Sequence, residues 1–171
     1  VAAPHQSGKD EYLMILIILA LDVDVCYLSA KWTMRRIPNP FEKSKDIDDQ
    51  GIKWPLGWLQ EIIFRKFGAI PVDRKGNSGQ YDSVIEELKK RDSFLLIVTP
   101  EGRFDATRFR TSFLFIAKEL NAEVMPVQID YENEIFNILE SFNIEGDTES
   151  VVKNLRLKFD GVKGKKSRFK A

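Results

Sequence analysis

The chain has 171 residues, of which 43% are hydrophobic and 30% charged, a composition that excludes a disordered or fibrous protein. Its 26 Lys and Arg residues balance its 26 Asp and Glu residues, so no overall charge attracts it to nucleic acid, and no nucleic-acid partner is expected. The single cysteine, Cys26, excludes an internal disulfide. It lies in an apolar, strand-like stretch and is therefore predicted to be a core residue.

Strand-like and helix-like segments alternate along the chain. Strands are predicted at 1–4, 24–30, 69–73, 94–99 and 124–131, and helices at 10–21, 57–67, 81–88 and 113–120. A last helix is predicted to begin near Asp147, a suitable N-cap, whereas residues 134–144 fit either class. The helix at 10–21 is apolar on nearly every side but shorter than the roughly 20 residues that span a bilayer, so it is expected to be buried or to dip into a surface. The alternation predicts an α/β fold, a single domain over 1–171 with a mostly parallel central sheet flanked by helices.

Two segments interrupt this alternation. Residues 35–55 are rich in Pro, Gly and charged side chains and are predicted to form a long insertion loop at the surface. Residues 161–171 form a basic tail in which Lys and Arg have no acidic neighbours. This tail is either simply solvated or contacts anionic lipid or phosphate.

Reactive side chains follow several of the predicted strands. His5, the only histidine, comes after the first strand, Asp73 and Arg74 after 69–73, and the 101–103 segment after 94–99. Ligands of parallel α/β folds bind at the carboxyl ends of the strands, so the active site is expected there.

The chemistry of these residues has two interpretations. Asp10, in the first turn of a helix that Ser7 caps, would orient His5 as a base; alternatively, Asp10 only caps the helix and His5 is an exposed loop residue. Arg74 and Arg103 match phosphate oxygens in bidentate fashion, or they form ordinary surface ion pairs. No serine-nucleophile elbow or nucleotide-binding glycine loop is present, and one His with one Cys cannot build a usual zinc site. A lone His base without a protein nucleophile implies direct attack by a substrate hydroxyl or by water.

Four blocks, in order, resemble the motifs of the glycerophospholipid acyltransferases, typified by 1-acyl-glycerol-3-phosphate acyltransferase. The blocks are "HQSGKD" (5–10), similar to H-x4-D; "GAIPVDR" (68–74); "TPEGR" (99–103), similar to P-E-G-T-R; and "VMPVQI" (124–129). The resemblance covers about residues 1–131. It implies a membrane-associated O-acyltransferase of phospholipid biosynthesis that moves a fatty acyl group from acyl-CoA or acyl carrier protein to the hydroxyl of a lysophospholipid such as lysophosphatidic acid.

The resemblance also assigns roles to individual residues. His5, oriented by Asp10, would be the general base, with no acyl-enzyme. The acceptor phosphate would be bound by residues of the second and third blocks and the basic segment after them: Arg74, Glu101, Gly102, Arg103 and Arg110. Arg103 stands one position earlier than the family's arginine, which leaves Arg108 or Arg110 as its substitute. No cofactor or metal is expected beyond the acyl donor as co-substrate.

The resemblance further implies a cytoplasmic protein that lies peripherally at the inner face of a membrane. Aromatic residues such as Trp54 and Trp58 would then either approach the bilayer or pack in the protein. Two other functions remain open. One is a thioester or phosphoester hydrolase that uses the same base, and the other is a non-catalytic module that binds lipid or phosphate.

Overall fold

The computed structural model describes residues 2–3, 16, 20, 24–37, 51–72, 80–101 and 109–164. Strands and helices alternate along these residues, which confirms the predicted α/β fold class. The chain forms two compact units, Val23–Leu96 and a second unit of Val1–Asp22 with Ile97–Ala171. The single domain over residues 1–171 stays a prediction.

The strands are β1 (Ala2–Ala3), β2 (Val25–Ala30), β3 (Arg36–Ile37), β4 (Ile52–Lys53), β5 (Ala69–Val72), β6 (Leu95–Ile97), β7 (Val127–Asp130) and β8 (Ile135–Ile138). The α-helices are α1 (Gly57–Lys66), α2 (Gln80–Lys89), α3 (Ser112–Glu119) and α4 (Thr148–Leu157), and a 3-10 helix covers Lys31–Met34. The predicted helices at 57–67, 81–88 and 113–120 are thus confirmed. In the described part of the chain, no helix is both long and apolar enough to cross a membrane.

The unit Val23–Leu96 is built on a three-stranded sheet in the order β5-β2-β6. Strands β2 and β5 are parallel, and α1 and α2 both contact β5. The predicted apolar stripe of α2 is confirmed, since Val84, Ile85 and Leu88 are buried. Cys26 is fully buried as predicted, and its thiol donates a hydrogen bond to the Leu95 carbonyl oxygen at 3.7 Å.

Gly68 connects α1 to β5 where the chain passes very close to β2. Its amide donates to the Arg65 carbonyl oxygen at 3.0 Å and ends the helix, and its own carbonyl oxygen accepts from the Tyr27 amide at 3.0 Å. Its φ is +82°, and a Cβ at this position would lie 2.0 Å from the Val25 carbonyl oxygen. Only glycine fits both the left-handed backbone and this approach.

The second unit contains the sheet β1-β7-β8, in which β1 and β7 are parallel and β7 and β8 antiparallel. Strand β8 shows that part of the ambiguous segment 134–144 is a strand. Strand β7 begins later than predicted, because Pro126 has no amide hydrogen to donate to a ladder. Before it, Val124 forms an isolated antiparallel bridge with Phe142.

Helices α3 and α4 share one hydrophobic core in this unit. Its buried members are Phe109, Phe113, Leu114, Ala117, Val124, Val151, Leu155 and Phe159. The predicted N-cap of α4 is confirmed, since the Asp147 carboxylate accepts a hydrogen bond from the Ser150 amide at 2.9 Å.

Two predictions need correction, and a third is narrowed to one of its alternatives. The insertion at 35–55 is not loop throughout, because β3 and β4 at its two ends pair antiparallel; residues 38–50 lie outside the described part. The start of the predicted solvated tail is attached, since the Tyr131 amide donates to the Lys163 carbonyl oxygen at 2.9 Å and the Lys163 ammonium pairs with Glu132 at 2.7 Å. Leu16 and Ala20 are helical as predicted, and the 62% exposure of Leu16 agrees with the surface alternative for this helix rather than the buried one.

Replacing Gly68 by Ala should destabilise the protein severely. The added Cβ would meet the Val25 carbonyl oxygen, so the substitution should lower the free energy of unfolding by about 3 kcal/mol or more, measured by urea titration. Gly161→Ala is the matched control: its φ is also positive, at +77°, but nothing lies within 4 Å of the added Cβ. Equal losses in the two variants would show that the close approach to β2 contributes nothing.

Candidate active site

Strand β5 ends at the carboxyl edge of the β5-β2-β6 sheet, two residues before Arg74 in the sequence. In the β2–β5 register the last residues of the two strands, Ala30 and Val72, lie opposite each other. Asp73 and Arg74 follow Val72 directly in the sequence, although both lie outside the described residues. The described part of the second motif block therefore ends at this edge, where the strand pattern of the sequence predicted that β5 would end.

Strand β1 leads in the same way to His5. Its Ala3 is in parallel register with Gln128 of β7, and His5 follows Ala3 with only Pro4 between them. His5 and Asp10 themselves lie outside the part of the chain that the structure describes, so the proposed pairing of base and acid stays a prediction.

The acid at the carboxyl end of β7, Asp130, has a structural role. Its carboxylate accepts hydrogen bonds from the amides of Glu132 and Asn133 at 3.0 and 3.2 Å and from Asn133 Nδ2 at 2.9 Å. The hydrogen bond from the Asn133 side chain is the main reason that the pKa of Asp130 is lowered. Asp130 therefore closes the turn between β7 and β8 and is poorly suited to act as a base.

The segment 100–110, which contains most of the third block, begins and ends at one point of the backbone. The amide of Arg110 donates a 2.7 Å hydrogen bond to the Pro100 carbonyl oxygen. Residues 102–108, which include Gly102 and Arg103, lie outside the described residues, and this hydrogen bond joins the two positions that bracket them. Glu101 is only 3% exposed, whereas the Arg110 side chain is exposed and accessible to a ligand.

Phe109 anchors the returning end of this segment. Its ring is buried and meets the Phe159 ring edge to face, with 5.9 Å between centroids and 75° between planes. The Arg156 guanidinium lies 5.5 Å from the centroid of the Phe109 ring. The sequence prediction did not include Phe109; the only available signal was an aromatic residue between Arg108 and Arg110. By holding Phe109, the core sets where the backbone of Arg110 lies.

Cys26 is unsuited to nucleophilic catalysis. Burial is the main reason that its pKa is raised to about 11, so the thiol is protonated at neutral pH. Among the described residues, no group of three or more His, Cys, Asp or Glu side chains is placed to hold a metal ion.

Part of the chain matches a known protein family. A family model described as Acyltransferase matches residues 52–130. The matched segment contains the blocks at 68–74, 99–103 and 124–129, while the block with His5 and Asp10 precedes it. No match was found among curated proteins or among solved structures.

Residues 52–130 thus match the acyltransferase family, and the motif blocks resemble those of the glycerophospholipid acyltransferases. The match supports a general role as an enzyme that transfers acyl groups, and the family implies an acyl donor and a lipid acceptor as substrates.

Truncation of the Phe109 side chain should release the carboxyl end of the segment 100–110. Phe109→Ala removes a buried ring and should cost about 3–5 kcal/mol of unfolding free energy, measured by urea titration. It should also speed hydrogen exchange at the Arg110 amide, because this amide would no longer be held against the Pro100 carbonyl oxygen. Phe115→Ala, which truncates an exposed ring on α3, is the control and should cost less than about 1 kcal/mol. A Phe109→Ala variant no less stable than this control would contradict the anchoring role.

Proposed function

We propose that this acyltransferase moves a fatty acyl group from acyl-CoA or acyl carrier protein to the free hydroxyl of a lysophospholipid such as 1-acyl-glycerol-3-phosphate. The observation that carries the proposal is the family match over residues 52–130, which includes three of the four motif blocks. The directions of β1 and β5 support it, since each strand leads directly to the histidine or arginine to which the resemblance gives a role.

In the proposed reaction His5 is the general base and Asp10 holds its imidazole in the reactive tautomer. As the imidazole removes the proton from the acceptor hydroxyl, the oxygen attacks the thioester carbonyl carbon of the donor. The tetrahedral intermediate then collapses, the carbon–sulfur bond breaks, and the thiolate takes the proton from the imidazolium. The products are the acylated lipid and the free thiol, so proton and electron pair balance without a cofactor or an acyl-enzyme.

The phosphate of the acceptor requires cationic partners. We assign this role to Arg74 and to the third-block segment, with Glu101, Gly102, Arg103 and Arg110 as its members. Arginine suits it because its planar guanidinium donates two parallel hydrogen bonds to phosphate oxygens. Arg110 is favoured by its exposed side chain and by the hydrogen bond that holds its backbone at Pro100. The buried Glu101 is better suited to shaping this segment than to touching an anion.

A direct transfer agrees with the state of the single cysteine. A thioester acyl-enzyme at Cys26 would require an accessible thiolate, whereas this thiol is fully buried and its pKa is raised to about 11. We further propose that the enzyme works at a membrane surface on its cytoplasmic side, where its lipid acceptor resides.

Substitution of His5 tests the proposed mechanism. With labelled acyl-CoA or acyl carrier protein and a panel of lysophospholipids, His5→Ala should lower kcat about a hundredfold to ten-thousandfold, because the base is lost. Asp10→Asn should also lower kcat, whereas Glu11→Gln makes the same charge change at the next residue and serves as the control. Circular dichroism of each variant confirms folding.

The three candidate functions give different outcomes in this assay. Full transfer by His5→Ala would contradict the base assignment. Thioester hydrolysis that needs no acceptor would indicate a hydrolase, and binding without turnover in the wild type would indicate a non-catalytic lipid-binding module.

Arg74 should determine the affinity for the phosphate-bearing acceptor. Arg74→Ala should raise KM for 1-acyl-glycerol-3-phosphate at least tenfold and leave KM for the acyl donor unchanged, because only the acceptor is proposed to contact it. Lys75→Ala removes the neighbouring positive charge and is the matched control. An equal rise of both KM values in Arg74→Ala would indicate a general structural effect and contradict the assignment.

A further inference from the structure

The side of helix α1 that packs against its own unit carries the polar residues Gln60 and Glu61. Gly57, Gln60, Glu61 and Phe64 recur at helical spacing and are buried or half-buried. Trp58, Leu59, Ile62 and Ile63 occupy the opposite side and are exposed, Trp58 by 58%. These four residues, together with the exposed Phe67 at the helix end, are here named the apolar face of α1. Soluble helices ordinarily bury such a face, so the arrangement requires a physical cause.

The cause is a set of polar contacts on the inner side. Gly57 lies so close to the preceding segment that an added Cβ would be 2.5 Å from the Arg35 carbonyl oxygen. The Gln60 amide nitrogen donates to the carbonyl oxygens of Thr33 and Arg36 at 2.7 and 3.1 Å. These contacts fix the rotation of the helix about its axis and turn its apolar residues outward.

Two further contacts complete this inner side. The Gln60 side-chain oxygen accepts from Trp54 Nε1 at 2.8 Å, so of the two tryptophans with a predicted bilayer contact, Trp54 supports the helix and Trp58 is exposed. The Glu61 carboxylate pairs with Arg35 and with Arg65. Hydrogen bonds from Arg35, and next from Arg65, hold the pKa of Glu61 below its usual range. Its negative charge is therefore already compensated at neutral pH.

The segments that contain α1 and its packing partners carry an excess of positive charge. Residues 31–37 and 51–72 carry six Lys or Arg residues and a single acid, Glu61. With residues 38–50 included, the segment 31–72 has eight Lys or Arg against five Asp or Glu, so the excess remains positive. An exposed pair of isoleucines, Ile37 and Ile52, lies on the β3–β4 ribbon, which the Gln60–Arg36 hydrogen bond joins to α1.

We propose that the apolar face of α1 inserts into the interfacial region of an anionic lipid bilayer. An exposed tryptophan with isoleucines on one helix face, bordered by Lys and Arg, matches the physical requirements for binding in that region. A second copy of the chain is a poorer occupant, because a two-fold interface would place the same positive border against itself.

The location of the face gives this binding a consequence for the site. Helix α1 contacts the 3-10 helix Lys31–Met34, which begins directly after the carboxyl end of β2. The same sheet edge leads, at Val72, to Arg74. Docking through α1 would therefore bring this edge close to the membrane that holds the acceptor. The inference rests on the proposed function only for this consequence, since binding itself requires no turnover.

Vesicle co-sedimentation without any acyl donor tests the inference. The wild type should bind phosphatidylcholine vesicles that contain about one third phosphatidylglycerol, and should bind pure phosphatidylcholine at least tenfold more weakly. Ile62→Glu combined with Ile63→Glu should weaken binding to the anionic vesicles at least tenfold. The control combines Ile135→Glu with Ile138→Glu, two similarly exposed isoleucines of β8, and should bind as the wild type does. Wild-type binding of the Ile62/Ile63 variant would overturn the inference even if the enzyme proves to be an acyltransferase.

Three further measurements distinguish the bilayer from the other possible occupants of the apolar face. Tryptophan fluorescence should shift to the blue on vesicle binding, and the shift should largely disappear in Trp58→Phe. The urea midpoint of the Ile62/Ile63 variant should equal that of the wild type; a large fall would mean that another part of the chain covers the face. A solution mass that corresponds to a dimer in the wild type and a monomer in the variant would mean that a second copy does so. Either result would overturn the membrane assignment.

Discussion

The close approach of Gly68 to Val25 is the constraint on which the described part of the unit Val23–Leu96 depends. At Gly68 helix α1 ends, the chain reverses and β5 begins beside β2. A Cβ at this position would overlap the Val25 carbonyl oxygen. The β2–β5 register follows from this close approach, and this register places Val72 opposite Ala30 at the sheet edge that leads to Arg74. Gly68, which begins the block at 68–74, thus serves the fold, and Arg74 at its end serves the proposed chemistry.

Helix α1 shows how polar contacts can decide which side of a helix is exposed. Burial of Trp58, Ile62 and Ile63 would remove more apolar surface from water than burial of Gln60 and Glu61 does. The inner side nevertheless supplies hydrogen-bond partners for two backbone carbonyl oxygens and close backbone packing at Gly57. Insertion into a lipid surface would remove the exposed apolar side from water, which is favourable. This gain links the orientation of α1 to the proposed work on lipids.

Local patterns predicted much of this fold. The stripe of Val84, Ile85 and Leu88 and the N-cap Asp147 were predicted because both arise from neighbours within one or two helical turns. Features that depend on distant partners were not predicted: the contact between Gln60 and Thr33, the anchoring of Phe109 by Phe159, and the hydrogen bond between Arg110 and Pro100. For the site, the strand pattern predicted that strands end shortly before His5 and Arg74, whereas the placement of these two side chains stays a prediction.

The assignment on which the proposed function depends most is that Arg74 and the segment 101–110 bind the phosphate of the acceptor. The most direct test is hydrogen exchange by mass spectrometry on the intact protein, with and without 1-acyl-glycerol-3-phosphate below its micelle concentration. If both segments bind the acceptor, hydrogen exchange should be slower with the acceptor in peptides that contain residues 72–75 and 100–110, and unchanged in α4. Unchanged exchange in both block peptides at saturating acceptor would contradict the claim, whatever family the chain belongs to.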